Sequence, residues 1–301
     1  MGALGLLQTC HEHPGFTSEL MPAVDSAIEQ LLSADGRAFD AHQWGEDPLE
    51  SLNGPNGHAA YLGYVNLVLA LHRTRVPHPR FAPLNDRITA ALMRRFDASR
   101  GGQLETYPGE AYPVDNAAGL ASLMIHQRAT GQDHSRTIAA VLSRFRTVWR
   151  DPASGLLFQA VDSRDGQPAG QARASGTALA AFFLSYGERE VSKALFEAVC
   201  AQATDSIIGF GLIREYATDT KRGTGDVDSG PLIFGASPSA TGFCIGASRA
   251  FGNRDRFVRL YRTVHLLGTP VSQGGRLAFV MGGPLGNAIL LAMLTASEIP
   301  P

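Results

Sequence analysis

The chain has 301 residues, of which 44% are hydrophobic and 18% charged, and its 26 basic and 28 acidic residues leave a formal net charge of -2. Such a balance gives a globular chain with ample core material and no electrostatic case for binding nucleic acid or an anionic membrane. Cys10, Cys200 and Cys244 are too few and too scattered for a disulfide framework or a CxxC site, and no run of about 18 apolar residues exists to span a bilayer.

The first segment, MGALGLLQTC, carries no basic leader and only a short apolar stretch, so residues 1–18 are expected to form an irregular N-terminal arm. The rest reads as one domain, 1–301, in a cytoplasmic setting, with a small-molecule substrate, a possible homo-oligomer and neither a nucleic-acid nor a membrane partner. Helical periodicity then predicts elements near Glu19–Ser33, Gly57–Arg75, Pro83–Ala98, Val114–Thr130, His134–Trp149, Ala172–Tyr186, Arg189–Ala203, Ser239–Phe251, Arg254–Leu267 and Gly286–Ala296. Short strands are expected at Leu156–Val161 and Ile207–Tyr216, as hairpins on one rim.

Two kinds of helix alternate along this list. ITAALMRRF, TIAAVLSRFRTVW, EVSKALFEAVCAQ and RDRFVRLYRTVHLL carry a charged face and read as outer helices. AAYLGYVNLVLAL, NAAGLASLMI, SGTALAAFFLSY, ATGFCIGASRAF and NAILLAMLTA are nearly uncharged and read as buried on all sides. The uncharged helices each open on small and polar residues and recur at roughly 47–64 residues, a spacing suited to one helical hairpin per repeat. The expected fold is therefore all-α, an (α/α) toroid of five to six hairpins, with a polar pocket where the inner helices begin.

Three constellations lie at those openings. GEAYPVDNAAG brings Tyr112, Asp115 and Asn116 to a proline-led first turn, where a carboxylate is favoured by the helix dipole. GTGDVDSGPLIFGASPSATG places Asp226 and Asp228 in a glycine-rich loop, ahead of Ser239, Thr241 and Cys244. NGPNGHAAYLGYVN supplies His58, Tyr61 and Tyr64, with Trp44 close by in HQWGEDP. Glu105 and Tyr107 in QLETYPG, Arg173 and Ser175 in QARASG, and Arg214, Glu215 and Tyr216 in LIREY are further rim candidates. Two acids directed into one site often acquire separated pKa values, which provides a proton donor and an acceptor together. HExxH, GxGxxG after a strand, GxxxxGK[ST] and GxSxG do not occur, so neither a metal nor a nucleotide cofactor is expected.

YLGYVNLVLAL, ETYPGEAYPVDNAAGLASL and the DVDSGP and SATGF segments resemble the α/α-barrel superfamily that includes linalool dehydratase-isomerase, and more distantly the six-hairpin glycosidases. In the dehydratase-isomerase pattern the loop matching ETYPGEAYPVDN carries catalytic cysteines; here Thr106 and Asp115 stand at the approximate positions. The resemblance implies a cofactor-independent lyase or isomerase that dehydrates a small hydroxylated substrate, a terpenoid being one option, or shifts its double bond. Asp115 and Asp228 would be the acid/base pair, with Tyr61 and His58 beside the reacting centre. Trp44, Tyr64, Glu105, Tyr107, Tyr112, Asn116, Asp226, Ser239, Thr241 and Cys244 would contact the substrate. The six-hairpin glycosidases, which set carboxylates at inner-helix starts, imply instead a glycoside hydrolase or sugar lyase. A non-catalytic ligand carrier fits the uncharged inner helices but not the clustered acids.

Overall fold

The computed structural model describes residues 1–76, 78–217, 225–226 and 229–297, and 59% of the chain is helical. That fraction is well above the roughly 30–35% of an average globular protein. In chain order the helices are α1 (Gly2–Glu12), α2 (Thr17–Leu32), α3 (Ala34–Trp44), α4 (Ala59–Arg73), α5 (Ala82–Ala98), α6 (Pro113–Thr130), α7 (Ser135–Arg146), α8 (Ala174–Leu184), α9 (Arg189–Gln202), α10 (Pro238–Ala250), α11 (Arg254–Leu267) and α12 (Gly283–Leu294). Two antiparallel hairpins accompany them: β1 (Thr204–Ile207) with β2 (Phe210–Ile213), and β3 (Pro270–Gln273) with β4 (Arg276–Phe279).

The uncharged helices form a closed inner ring. α4 packs on α6, α6 on α8, α8 on α10, α10 on α12, α12 on α1 and α1 on α4. The charged helices lie outside: α2 against α1 and α4, α5 against α4 and α6, α7 against α6, α9 against α8 and α11 against α10. Burial follows the sequence pattern. α7 buries Thr137, Val141, Leu142 and Phe145, one stripe at helical spacing, and leaves its arginines outward. α8 is buried on nearly every side because its sequence, ASGTALAAFFL, has no charge to solvate. Each inner helix after α1 is reached by way of an outer one. α1 lies alongside α12 in the same direction, with Gly2 near Ala288 and Gly5 near Leu291, so the inner helices run parallel and their N-termini share one rim. Both β-hairpins sit on the connections that lead to that rim.

Three sequence expectations need correction. Residues 2–12 are not an irregular arm but the sixth inner helix, and the ring closes through them. Residues 34–44 are helical as well, started by the Ser33 side chain, which accepts from Gly36 N at 3.1 Å, and ended at Gly45 in the left-handed conformation. Leu156–Val161 makes isolated bridges to Arg150, Ala172 and Ala111 instead of a strand.

The ring is plugged toward the helix C-termini. Tyr186 donates its hydroxyl to Gln8 Oε1 at 2.9 Å, from the end of α8 to α1 on the opposite side of the ring. Gln8 Nε2 donates to Ala292 O at 2.8 Å and to Thr295 Oγ1 at 3.1 Å. Tyr64 on α4 meets Phe183 on α8 edge to face at 5.0 Å, across the width of α6. With Phe182, Phe183 and Tyr186 fully buried, the axis is filled with aromatic rings. At the other end the first turns of the inner helices stay partly open, at Tyr61, Asp115, Gly176, Ser239 and Gly242.

α4 and α6 approach closely at Gly63 and Gly119. A methyl group on Gly63 would lie 2.9 Å from Gly119 N and 3.3 Å from Asp115 O, both rigid backbone atoms of α6. A methyl group on Gly119 would meet Phe96 at 3.6 Å and Gly63 Cα at 4.0 Å, both ordinary contacts. Gly63→Ala is therefore expected to destabilise the fold by about 1–3 kcal/mol through overpacking. Gly119→Ala should be neutral or stabilising by roughly 0.5–1 kcal/mol, because alanine is the better helix former. Urea denaturation of the two variants measures this; equal effects would contradict the asymmetric contact.

Candidate functional site

The inner-helix rim carries two clusters of polar side chains. One spans α3, α4 and the loop before α6. The other joins the starts of α8 and α10.

At the first cluster, His58 is fully buried at the start of α4 in a left-handed conformation, with φ 48°. A non-glycine residue held there needs its surroundings to fix it. They do so from both sides of the ring: Nδ1 lies 2.5 Å from Asp40 Oδ2 and Nε2 lies 3.1 Å from Glu46 Oε1. The indole of Trp44 covers the imidazole at 4.6 Å between centroids. The bond to His58 is the main reason that the Glu46 carboxyl lies below its ordinary range. Asp40 and Trp44 share a face of α3 because they are four residues apart.

The loop that presents His58 is held by a buried guanidinium. Arg95 on α5 donates to the carbonyls of Ser51 at 2.9 Å, Gly54 at 3.2 Å and Gly57 at 3.3 Å. Burial brings its pKa down to about 10, so the cation persists at neutral pH. Trp44 Nε1 donates to Thr106 O at 3.3 Å, and Thr106 Oγ1 donates to Asp115 Oδ2 at 2.9 Å. Trp44, His58, Thr106 and Asp115 are thus joined through one loop-to-helix contact.

Several expected substrate contacts have partners within the protein. Asn116 clamps the preceding loop: its side chain accepts from Leu104 N at 2.7 Å and donates to Leu104 O at 3.0 Å and Tyr112 O at 2.9 Å. Tyr61 donates to Leu31 O of α2 at 2.8 Å, and burial raises its pKa well above the usual phenol value. Glu105 accepts from Ala59 N through its backbone carbonyl at 3.0 Å, while its side chain remains partly exposed. Tyr107 meets Phe39 edge to face at 5.8 Å, and Tyr112 donates to the Glu110 carboxylate. Tyr64 belongs to the aromatic plug already described.

At the second cluster, Arg173 stands immediately before α8 with its side chain only 7% exposed. It pairs with the Asp226 carboxylate, donates to Tyr216 OH at 3.2 Å and lies 3.4 Å from Glu215 Oε1. Glu215 is fully buried and accepts from Ser175 Oγ at 2.5 Å. Its other oxygen, Oε2, has no hydrogen-bond partner among the described residues. Burial pushes the Glu215 carboxyl up, and the nearby Asp226 charge adds to that. Burial also acts to raise Asp226, but the Arg173 bond and the Ser229 backbone N–H outweigh it and hold Asp226 below its ordinary value. Two acids on one guanidinium are thereby driven in opposite directions.

The backbone explains why these groups meet. Glu215 O accepts from Ala174 N at 2.8 Å, and Glu215 N donates to Gly235 O at 3.1 Å, so residues 213–216 run between the α8 start and the loop before α10. Ser237 caps α10 by accepting from Ala240 N at 3.1 Å, and its hydroxyl donates to Ser229 O at 2.9 Å. Thr241 Oγ1 accepts from Ile213 N at 3.1 Å. Ser239 is half-buried in the first turn of α10, and Cys244 is fully buried further along it. Asp228 lies outside the described residues.

A cavity of about 370 Å³ opens on this rim, lined by Glu110, Tyr112, Asp162, Ser163 and Arg164 among others. Another, of about 560 Å³, lies at the far end of α6 among Met124, Arg128, Ile138, Arg146 and Glu188, away from Asp115. Among the described residues no group of three or more His, Cys, Asp or Glu side chains is arranged to hold a metal ion, and no helix is long and apolar enough to cross a membrane.

By sequence the chain matches no protein-family model and none of the curated proteins. Its fold is that of known structures. A glycoside hydrolase of family 105 from C. acetobutylicum ATCC 824 superposes with a TM-score of 0.60 at 10% identity, over 98% of this chain and 91% of that one. The unsaturated glucuronyl hydrolase of Bacillus sp. GL1, described as responsible for the degradation of glycosaminoglycan, gives 0.59 at 14% identity, over 97% and 84%. A polysaccharide lyase gives 0.57 at 10% identity, over 98% and 88%. The fold is therefore the α/α toroid of the six-hairpin glycosidases.

The opposed shifts of Glu215 and Asp226 fix how stability responds to pH. A carboxyl raised by folding contributes stability in acid that is lost as pH rises through its folded pKa; one lowered by folding contributes stability that is lost as pH falls. Glu215→Gln removes the first contribution and leaves the second. The stability of this variant relative to wild type is expected to rise between the ordinary glutamate range and neutral pH. Denaturation curves across that window test it, and a constant difference would show that Glu215 does not titrate differently on folding.

Proposed function

We propose that this protein is a carbohydrate-active enzyme, a glycoside hydrolase or sugar lyase, working by carboxylate acid/base chemistry at the inner-helix rim. The observation that carries the proposal is the Arg173–Asp226 ion pair at the mouth of the toroid. The Asp226 side chain is 45% exposed, while its partner Arg173 is buried and backed by buried Glu215. A carboxylate kept ionised and fixed in direction in this way is a proton acceptor in place before substrate arrives. Asp115, in the first turn of α6 and half-buried, is the proposed proton donor, and Asp228 the second acid of the 226–228 loop. Glu215 and Arg173 position the acceptor and do not touch substrate.

A hydrolase would use the acceptor to activate water and the donor to protonate the glycosidic oxygen. A lyase would use the same pair to remove a ring proton and to protonate the leaving oxygen. Likeness of fold to a glycosaminoglycan-degrading hydrolase and to a polysaccharide lyase supports sugars over terpenoid alcohols as substrates. One observation favours the dehydratase-isomerase reading as second. Thr106 and Asp115, at the positions matched to that family's catalytic loop, are hydrogen-bonded to each other at 2.9 Å.

The test is a turnover assay on lyase-generated unsaturated glycosaminoglycan oligosaccharides and on intact polysaccharide, with a tertiary allylic alcohol as the competing substrate. Asp226→Asn and Asp115→Asn are each expected to lower turnover by roughly 10²–10⁴-fold, the usual span for an acid–base residue, with little change in KM. Full turnover in both variants would remove this site from the reaction, and dehydration of the alcohol with no action on sugars would establish the second reading.

A further inference from the structure

Outer helix α9 and inner helix α10 meet through aromatic stacking. The Phe196 ring lies on the Phe251 ring at 5.5 Å with the planes 22° apart. One turn farther along α9 comes Cys200, partly buried; two turns back along α10 comes Cys244, fully buried. Cys200 lies four residues from Phe196 and Cys244 seven from Phe251, so each cysteine shares the stacked face of its helix. Because the helices run in opposite directions, these steps bring the two thiols to a similar level across the α9–α10 contact. Arg256 of α11 reaches the same place. It donates to Thr204 Oγ1 just beyond α9, its charge acts on both sulfurs, and its buried Nε has no partner among the described residues.

We propose that Cys200 and Cys244 are a modification site, a dithiol that a hydroperoxide oxidises to a disulfide linking α9 to α10. The neighbouring Cys244 thiol and the charge of Arg256 lower the Cys200 thiol, against its burial. The neighbouring Cys200 thiol and complete burial shift Cys244 upward. The partly exposed thiol is therefore the nucleophile and the buried one the resolving thiol. The Cys200 thiolate attacks one peroxide oxygen, the O–O bond breaks, and the alkoxide leaves and takes up a proton. Cys200 is then a sulfenic acid. The sulfur of Cys244 attacks it, the S–O bond breaks, and the hydroxide leaves as water with the proton of Cys244. The two sulfurs lose one electron each, and the hydroperoxide is reduced to an alcohol and water.

The bridge would reach the functional rim through the backbone. α9 leads by way of β1 and β2 to Glu215, and Ser237 and Thr241 at the start of α10 both bond to the backbone of Ile213, two residues before Glu215. Cys10, buried in α1 and shifted upward by burial, is an internal control.

The experiment treats the folded, full-length chain with hydrogen peroxide, alkylates the remaining thiols and maps tryptic peptides by mass spectrometry. Wild type is expected to give one cross-link between residues 194–214 and 223–249, reversed by dithiothreitol, with Cys10 alkylated. Cys244→Ser should accumulate a dimedone-trapped sulfenic acid at Cys200, Cys200→Ser should leave Cys244 reduced, and Arg256→Gln should slow the loss of the Cys200 thiol several-fold. Recovery of both thiols fully alkylated in wild type, or oxidation of Cys200 to the sulfinic acid without a cross-link, would overturn the proposal.

Discussion

Close approach of parallel inner helices is the constraint on which the molecule depends. Parallel neighbours cannot interdigitate large side chains and still close a ring of this size, so the contacts fall on glycine and alanine. A methyl group on Gly5 would strike Leu291 and the backbone of Ala292, and one on Gly246 would strike Met293. Gly63 against α6 is the same device in another sector. Because the helices are parallel, the unpaired N–H groups and positive dipole ends of all of them collect at one rim. Carboxylates gather there for that reason, and the loops that hold them need little further charge.

The rim is specified by side chains that grip backbone. Arg95 holds the carbonyls of the loop before α4, Asn116 holds both backbone groups of Leu104, and Thr241 holds Ile213 N. Each is buried, so losing one would strand polar backbone groups away from water, at a cost of about 1–3 kcal/mol per group. The arrangement sorts polar residues into two kinds. Asn116 and Tyr61 direct their side-chain polar groups to backbone, whereas Asp226 is paired with Arg173 yet keeps 45% of its side chain exposed.

Much of this was legible in the sequence, for physical reasons. Alternation of charged and uncharged helices carried the toroid, because a helix without charge has to be covered on every side. Placement of Asp115 and Asp226 at the rim followed from their position in the first turn of one inner helix and in the loop leading to another. Helix α1 was not legible: glycines at 2 and 5 weaken local helix propensity, and its place in the ring comes from the distant partners of Gln8. Nor was α3, whose one buried residue is Asp40. Glu215 stood in view as a rim residue, but its burial depends on backbone pairing with Gly235 and Ala174, which no local pattern reveals. The hydroxyl of Tyr61 was assigned to the pocket from helical spacing, whereas its direction is set by α2.

Closure of the ring has a consequence for how the chain reaches this state. Gln8 bonds to Ala292, 284 residues away along the chain, and to Tyr186, 178 residues away. Neighbouring hairpins can assemble from local contacts, but the bond to Tyr186 waits until α8 has been made and the bond to Ala292 until α12 has been made and has met α1. Bringing such distant segments together carries a loop-closure entropy that local pairs avoid. Until then α1 and α12 each expose a flank made to be covered, and a nascent or partly folded chain presents an open crescent. The same two flanks on separate molecules are complementary, so domain swapping through α1 is the assembly error to which this topology is most exposed.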